Sequence, residues 1–240
     1  MLDRKQLKER AKQVFKANYW KTVAAALITV CVIGSGIVSV SSSANNATQT
    51  SDGEISQMIQ NMSKEELIVL FSVIFGAITI AITVDFIFKT LLLNPLEVGC
   101  RKFFIENDKE PATFKELTFG FKNYGKSVGT QLLRSVLIFL WSLLLIVPGI
   151  IKTYSYKLVP YILAEEPELS AKEILAKSEA MMKGHRWEAF VLDLSFIGWD
   201  FLSALTFGLV GIFYAAPYEV QTNAEFYLAL KGDNNAVEAY

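Results

Sequence analysis

The apolar positions of this chain come in long blocks, not at the alternating or three-to-four spacing of half-buried elements. Residues 20–40 and 67–93 carry few charges. At about 1.5 Å per residue, each reaches across about 30 Å of hydrocarbon as a helix. Residues 128–162 form a third block, roughly 50 Å long if it were one helix. Pro148-Gly149 lies inside it. That dipeptide breaks helices and favours tight turns, which predicts a hairpin of two spans, 128–147 and 150–164. A kink in one tilted helix is the alternative. Residues 187–230 are longer still and divide near Thr206–Gly208 into 187–205 and 208–230. The pattern therefore predicts an all-α fold, a polytopic transmembrane helical bundle of six spans.

Positive charge predicts the orientation, because Lys and Arg collect on the cytoplasmic side. Met1–Lys21 holds seven of them, and residues 1–19 read as an amphipathic helix inside. Residues 41–66 hold one basic residue against four acids and should lie outside. The linkers 94–127 and 165–186 are basic and should lie inside, as should the C-terminus. Leu7, Ala11, Val14 and Phe15 share one face of the first helix, with lysines largely elsewhere. Such a helix suits an anionic leaflet, each basic residue near the surface adding about 1 kcal/mol. Packing against other cytoplasmic helices is the alternative. The basic-then-apolar start resembles a secretion signal, but its apolar run exceeds the usual signal core, so a retained anchor is expected.

The unit of amphipathic helix plus membrane hairpin repeats three times. Asp3–Lys21 aligns without gaps on Ser170–Glu188, matching Phe15 with Met182 and Trp20 with Trp187. Pro95-Leu96-Glu97-Val98 resembles Pro217-Tyr218-Glu219-Val220, and Pro160-Tyr161 holds the same place in the middle unit. Tyr19, Trp20 and Trp187 at the entrances suit the headgroup level.

Composition removes several classes of chemistry. The chain is 52% hydrophobic with a net charge of −1, so no global field favours nucleic acid. His185 is its one histidine, leaving little basis for a zinc site or a Ser-His-Asp triad. Cys31 and Cys100 fall at different depths, which argues against a disulfide. Ser195 lies near Asp193, but nothing supplies a base or an oxyanion hole. No metal, cofactor or catalytic residue is expected.

Ionisable groups at bilayer depth are the strongest lead, since each is costly unless paired or wet. They are Asp85, Arg134, Lys157, Asp193, Asp200 and Glu219. On depth, Lys157 is expected to pair with Asp200, and Arg134 with Asp193. These groups read either as salt bridges locking the bundle or as the lining of a polar cavity. Gly34-Ser35-Gly36 and Gly198 suit close helix packing.

Two stretches carry a resemblance. One runs Leu143-Leu144-Leu145-Ile146-Val147-Pro148-Gly149-Ile150-Ile151-Lys152-Thr153-Tyr154-Ser155-Tyr156 and on to Pro160-Tyr161-Ile162-Leu163-Ala164. The other runs from Ser178 through Met181-Met182-Lys183-Gly184-His185-Arg186-Trp187 to Leu192-Asp193-Leu194-Ser195-Phe196-Ile197-Gly198-Trp199. Together they resemble the bacterial integral membrane family called domain of unknown function 975, over nearly the whole chain. The resemblance implies a multi-span protein of the bacterial cytoplasmic membrane, with no activity or site residues to carry over.

The expected function is non-catalytic: an accessory protein of the cell envelope that binds lipid or a membrane partner, with anionic lipid meeting the first helix. A small transporter or channel using the intramembrane charges is the main alternative. A membrane enzyme acting on lipids is a third.

Overall fold

The computed structural model describes residues 4–29 and 63–238, with side chains described through residue 232. Most of the span expected at 20–40, most of the outer loop, Asp3, Cys31 and Gly34-Ser35-Gly36 lie outside the described residues. Among the described residues every regular element is helical.

Helix α1 (Arg4–Ala17) buries Leu7, Ala11 and Phe15, one stripe at i, i+4 and i+8, against the last helix of the chain. Two of its lysines lie over aromatic rings of the body. Lys8 lies over the Phe196 ring at 4.4 Å and Lys12 over Tyr218 at 5.5 Å. Burial, then Lys12 and Arg4, pull the Lys8 ammonium below its ordinary range. Of the two expectations for this helix, the observed contacts are those of packing. Helix α2 covers residues 19–29 as far as the chain is described.

Helix α3 (Lys64–Phe88) opens with a capping box: Glu66 N donates to Ser63 Oγ at 3.3 Å, and Ser63 N donates to Glu66 Oε2 at 2.8 Å. It runs about 38 Å without one buried residue. Its hydroxyls fold back on their own helix, Ser72 to Val69 O, Thr79 to Phe75 O and Thr83 to Thr79 O, each at 2.8 Å. No donor is thus left on the apolar surface.

A wide i→i+5 turn, Lys89–Leu93, joins α3 to α4 (Asn94–Lys109). Pro95 sits in the first turn of α4, where its missing N–H costs nothing. The same device recurs later, a wide turn at Gly211–Ala215 leading into α11 (Ala216–Glu238) with Pro217. There the carbonyl four residues before the proline, that of Phe213, accepts from Tyr19 Oη at 3.1 Å.

Helix α4 is the axis of the packed body, burying Val98, Phe103, Phe104 and Ile105. The chain then doubles back so closely that a Cβ on Gly99 would run into the Leu117 carbonyl, and one on Gly120 into the Pro95 carbonyl. Helix α7 (Val159–Glu165) buries every residue from Val159 to Ala164, with Tyr161 stacked on Tyr227 of α11 at 5.3 Å. Each such large apolar side chain contributes about 1.5–3 kcal/mol. Helix α8 (Ala171–Met181) begins at a second capping box, Ser170 with Glu173.

Two hairpins rise from this body. In the first, α5 (Tyr124–Leu144) returns as α6 (Ile146–Ser155). The two helices lie side by side, since a Cβ on Gly149 would overlap Ser142 and Lys152 sits over Trp141 at 5.5 Å. This removes the single kinked helix and corrects the expected turn. The break falls at Leu145, which is extended, while Pro148 sits within the first turn of α6, where it needs no N–H partner. Gly149 serves close packing instead.

In the second, α9 (Arg186–Leu194) and α10 (Ile197–Leu205) meet at a step, Ser195-Phe196. The chain turns at Thr206–Gly208, as expected, with φ of 51° at Phe207 and 85° at Gly208. Gly211 then packs against Ser203.

Apolar side chains stay exposed along α3, residues 136–151 and residues 194–213, where Phe207 is 99% accessible. Two stretches, Lys64–Lys109 and Tyr124–Leu144, include helix long and apolar enough to cross a membrane. The three other predicted spans that are described throughout are interrupted or polar. The 150–164 segment breaks at Tyr156–Leu158, the 187–205 segment at Ser195-Phe196, and α11 carries Gln221, Asn223 and Glu225.

Candidate functional site

Where the hairpins leave the body, a partly open cavity of about 480 Å³ lies between α4, α5, α6, α7, α9 and α11. Glu97 anchors one wall. Its carboxylate accepts from Arg101 Nη2 at 3.2 Å, one turn along α4, and from Gln131 Nε2 of α5 at 2.8 Å. Arg134, one turn further along α5, lies 4.0 Å from the same carboxylate and donates to Gln131 Oε1 at 3.2 Å. Arg101 Nη1 donates to Tyr161 Oη at 3.1 Å, and the guanidinium lies over that ring at 4.9 Å. Opposite, Lys157 Nζ meets Asp193 Oδ1 at 2.6 Å. Lys89, paired with Asp85 at 2.8 Å one turn back, closes the edge nearest α3.

Both expected pairings are thus corrected. Lys157 pairs with Asp193, not Asp200, because the step at Ser195-Phe196 leaves Asp193 beside the body and carries Asp200 onward into the hairpin. Arg134 turns to Glu97, not Asp193, because α5 packs on α4. The cavity gathers Arg134, Lys157 and Asp193 from the expected set, with Asp85 at its edge through Lys89.

Asp200 and Glu219 lie elsewhere, lining a second cavity of about 350 Å³ with Leu27 and Ile212. Neither forms an ion pair among the described residues. Of the expected interface residues, Trp20 is 74% and Trp187 71% exposed, while Tyr19 is half-buried and holds the Phe213 carbonyl.

Glu97 and Arg101 are the residues that sequence reasoning missed. Their signal was present, a Glu–Arg pair at i, i+4 beginning inside the Pro95-Leu96-Glu97-Val98 motif. They lay in a segment read as a cytoplasmic linker, outside the search for charges at bilayer depth.

Three buried polar atoms of residues that line this cavity have no hydrogen-bond partner among the described residues: Nε of Arg101, Nε of Arg134 and Oδ1 of Asn223. A site with spare guanidinium N–H groups and a surplus of positive charge is chemically an anion receptor. No group of three His, Cys, Asp or Glu side chains stands close enough to hold a metal ion among the described residues. His185 is engaged with Glu188 at 2.8 Å, and Ser195 Oγ donates to the Leu192 carbonyl.

Fold and cavity define a helical protein with membrane-length apolar helices set on a packed, polar-ended body. Residues 143–234 match the model of the family described as Protein of unknown function (DUF975), which is the resemblance read from the sequence. The match covers that region and not nearly the whole chain. Neither the curated proteins nor the solved structures gave a match.

Proposed function

We propose that this is a multi-pass protein of the bacterial cytoplasmic membrane with a non-catalytic role, acting by binding lipid or a membrane partner. On this reading it crosses six times, as three units of amphipathic helix and hairpin, with both termini inside. One observation carries the membrane assignment: α3 spends 25 residues without burying one, while the body beside it is closely packed. Water would penalise that apolar surface at about 25 cal/mol per Å², and hydrocarbon would not. The two wide turns ahead of Pro95 and Pro217 support the repeat, as they put the same device at matching places in two units.

Single-cysteine labelling in intact cells tests the topology, in a protein whose own two cysteines are replaced by serine. A cysteine at Gln49 should react with an impermeant maleimide. One at Lys172 should react only after the membrane is opened. Labelling of both from outside would end this reading.

A second reading, a small transporter or channel, draws on Asp200 and Glu219, which face an apolar cavity and form no ion pair among the described residues. It predicts solute or proton movement in proteoliposomes that Asp200→Asn abolishes.

A further inference from the structure

Resting on the membrane assignment above, we propose that the cavity between α4, α5 and α9 is a binding site for a phosphate group. The group would come from the headgroup of an anionic lipid or from free phosphate. Charge is the first argument. Four lining side chains are cations, Lys89, Arg101, Arg134 and Lys157; against them stand the lining carboxylates Glu97 and Asp193 and, at the edge, Asp85 on Lys89, which leaves one positive charge in excess. Arg101 lies close enough to both Arg134 and Lys157 to repel them, a smaller effect than the pull of Glu97 on Arg134 and of Asp193 and Glu219 on Lys157. Unbalanced positive charge in a low-dielectric place is costly, and an anion removes the cost.

Geometry is the second. Glu97 is shared by two guanidinium groups and reaches Arg134 only at 4.0 Å, so it cannot satisfy both. The Nε–H of each arginine is buried and unused. A tetrahedral oxyanion carries several acceptors and can take N–H bonds from two arginines at once, which a single carboxylate already bonded to Gln131 cannot. The volume, about 480 Å³, is that of a small-molecule pocket.

Position is the third. Lys89 and Leu93 form part of the wall and belong to the stretch whose Leu91 and Leu92 side chains stay exposed. The cavity is therefore continuous with the apolar surface, and a lipid whose phosphate enters it keeps its acyl chains against α3.

The test uses the full-length protein in mild detergent, read by native mass spectrometry with three probes: phosphatidylglycerol, phosphatidylcholine and inorganic phosphate. The expected result is one phosphatidylglycerol retained over phosphatidylcholine. Retention should fall about tenfold in Arg134→Gln and in Arg101→Gln but not in Lys115→Gln, an exposed cation outside the cavity. Displacement by millimolar inorganic phosphate would keep the phosphate site and assign free phosphate as its source. Resistance to it assigns the lipid. Equal retention of both lipids with no effect of phosphate would overturn the site, as would unchanged retention in variants whose thermal unfolding matches the parent. The wild-type lipid comparison stands even where a variant fails to fold. Release of the protein from membranes by alkaline carbonate would sink the membrane assignment. A protein that stays embedded yet shows no lipid preference loses only this site.

Discussion

Helices α3 and α11 are similar in length and opposite in what they bury. Phe71, Phe75 and Ile80 of α3 stand exposed, while Gln221, Thr222 and Glu225 of α11 are buried. Those three polar side chains of α11 are satisfied within the fold, Thr222 by its own helix at the Tyr218 carbonyl. Asn107 Nδ2 donates to Gln221 Oε1 at 3.4 Å, Gln221 Nε2 donates to Glu225 Oε1 at 3.1 Å, and Arg10 Nε lies 3.1 Å from Glu225 Oε2. A buried polar group is tolerable when it is bonded, and an exposed apolar helix is tolerable when the solvent is apolar. The comparison teaches that α11 finds its partners inside the chain, and that α3 buries no side chain among the described residues.

The sharpest break in that comparison is steric. Gly99→Val, in the body, drives a side chain into the Leu117 backbone and should cost about 3 kcal/mol or more. Gly76→Ala on α3 meets nothing within 4 Å and should leave stability equal or slightly raised. Thermal unfolding in detergent reads both. Next comes Phe75→Lys. On a surface facing water it would be nearly neutral. In hydrocarbon it should cost about 3 kcal/mol, measured as reduced membrane insertion of the full chain. Smaller again is Asn107→Ala, which strands Asn18 and Gln221 and should cost about 1–3 kcal/mol in the same unfolding assay.

The smallest effect is a pH dependence. Burial pushes the Glu165 carboxyl up, but hydrogen bonds from Lys231 Nζ at 2.6 Å and Tyr227 Oη at 2.7 Å outweigh it, leaving it below the usual 4.5. A carboxylate with a depressed folded value stabilises fully above its unfolded value, and that contribution is lost as pH falls through the depressed value. Melting temperature should therefore drop more steeply below pH 4.5 in the parent than in Glu165→Gln. Parallel curves would remove Glu165 from the acid response.

Much of this was legible in the chain. Hydrophobic blocks gave the helical class, and Thr206–Gly208 gave one turn, because a left-handed pair there admits no helix. The break at Leu145 was not legible. No breaker residue marks it, and Pro148 fits a first helical turn as readily as a bend. Charge pairing was missed for a related reason. Depth estimates treated 187–205 as one straight rod, and the step at Ser195-Phe196 moved Asp193 and Asp200 to different neighbourhoods. Arg101 and Glu97 escaped because a linker label hid a helix that is the axis of the body.

The wide turn at Lys89–Leu93 sets an angular register. An ordinary helix advances about 100° per residue, and an i→i+5 turn inserts about one residue of extra rotation. What lies beyond is turned relative to α3 by that amount. Glu97 and Arg101 thereby face inward, although α3 behind them looks outward on every side. A single-residue deletion within Thr90–Leu92 would keep the composition of the segment and its length almost unchanged. It would swing α4 by about 100° against the helix that delivers it, so this short stretch works as a clocking joint between an apolar exposed helix and the charged wall of the cavity.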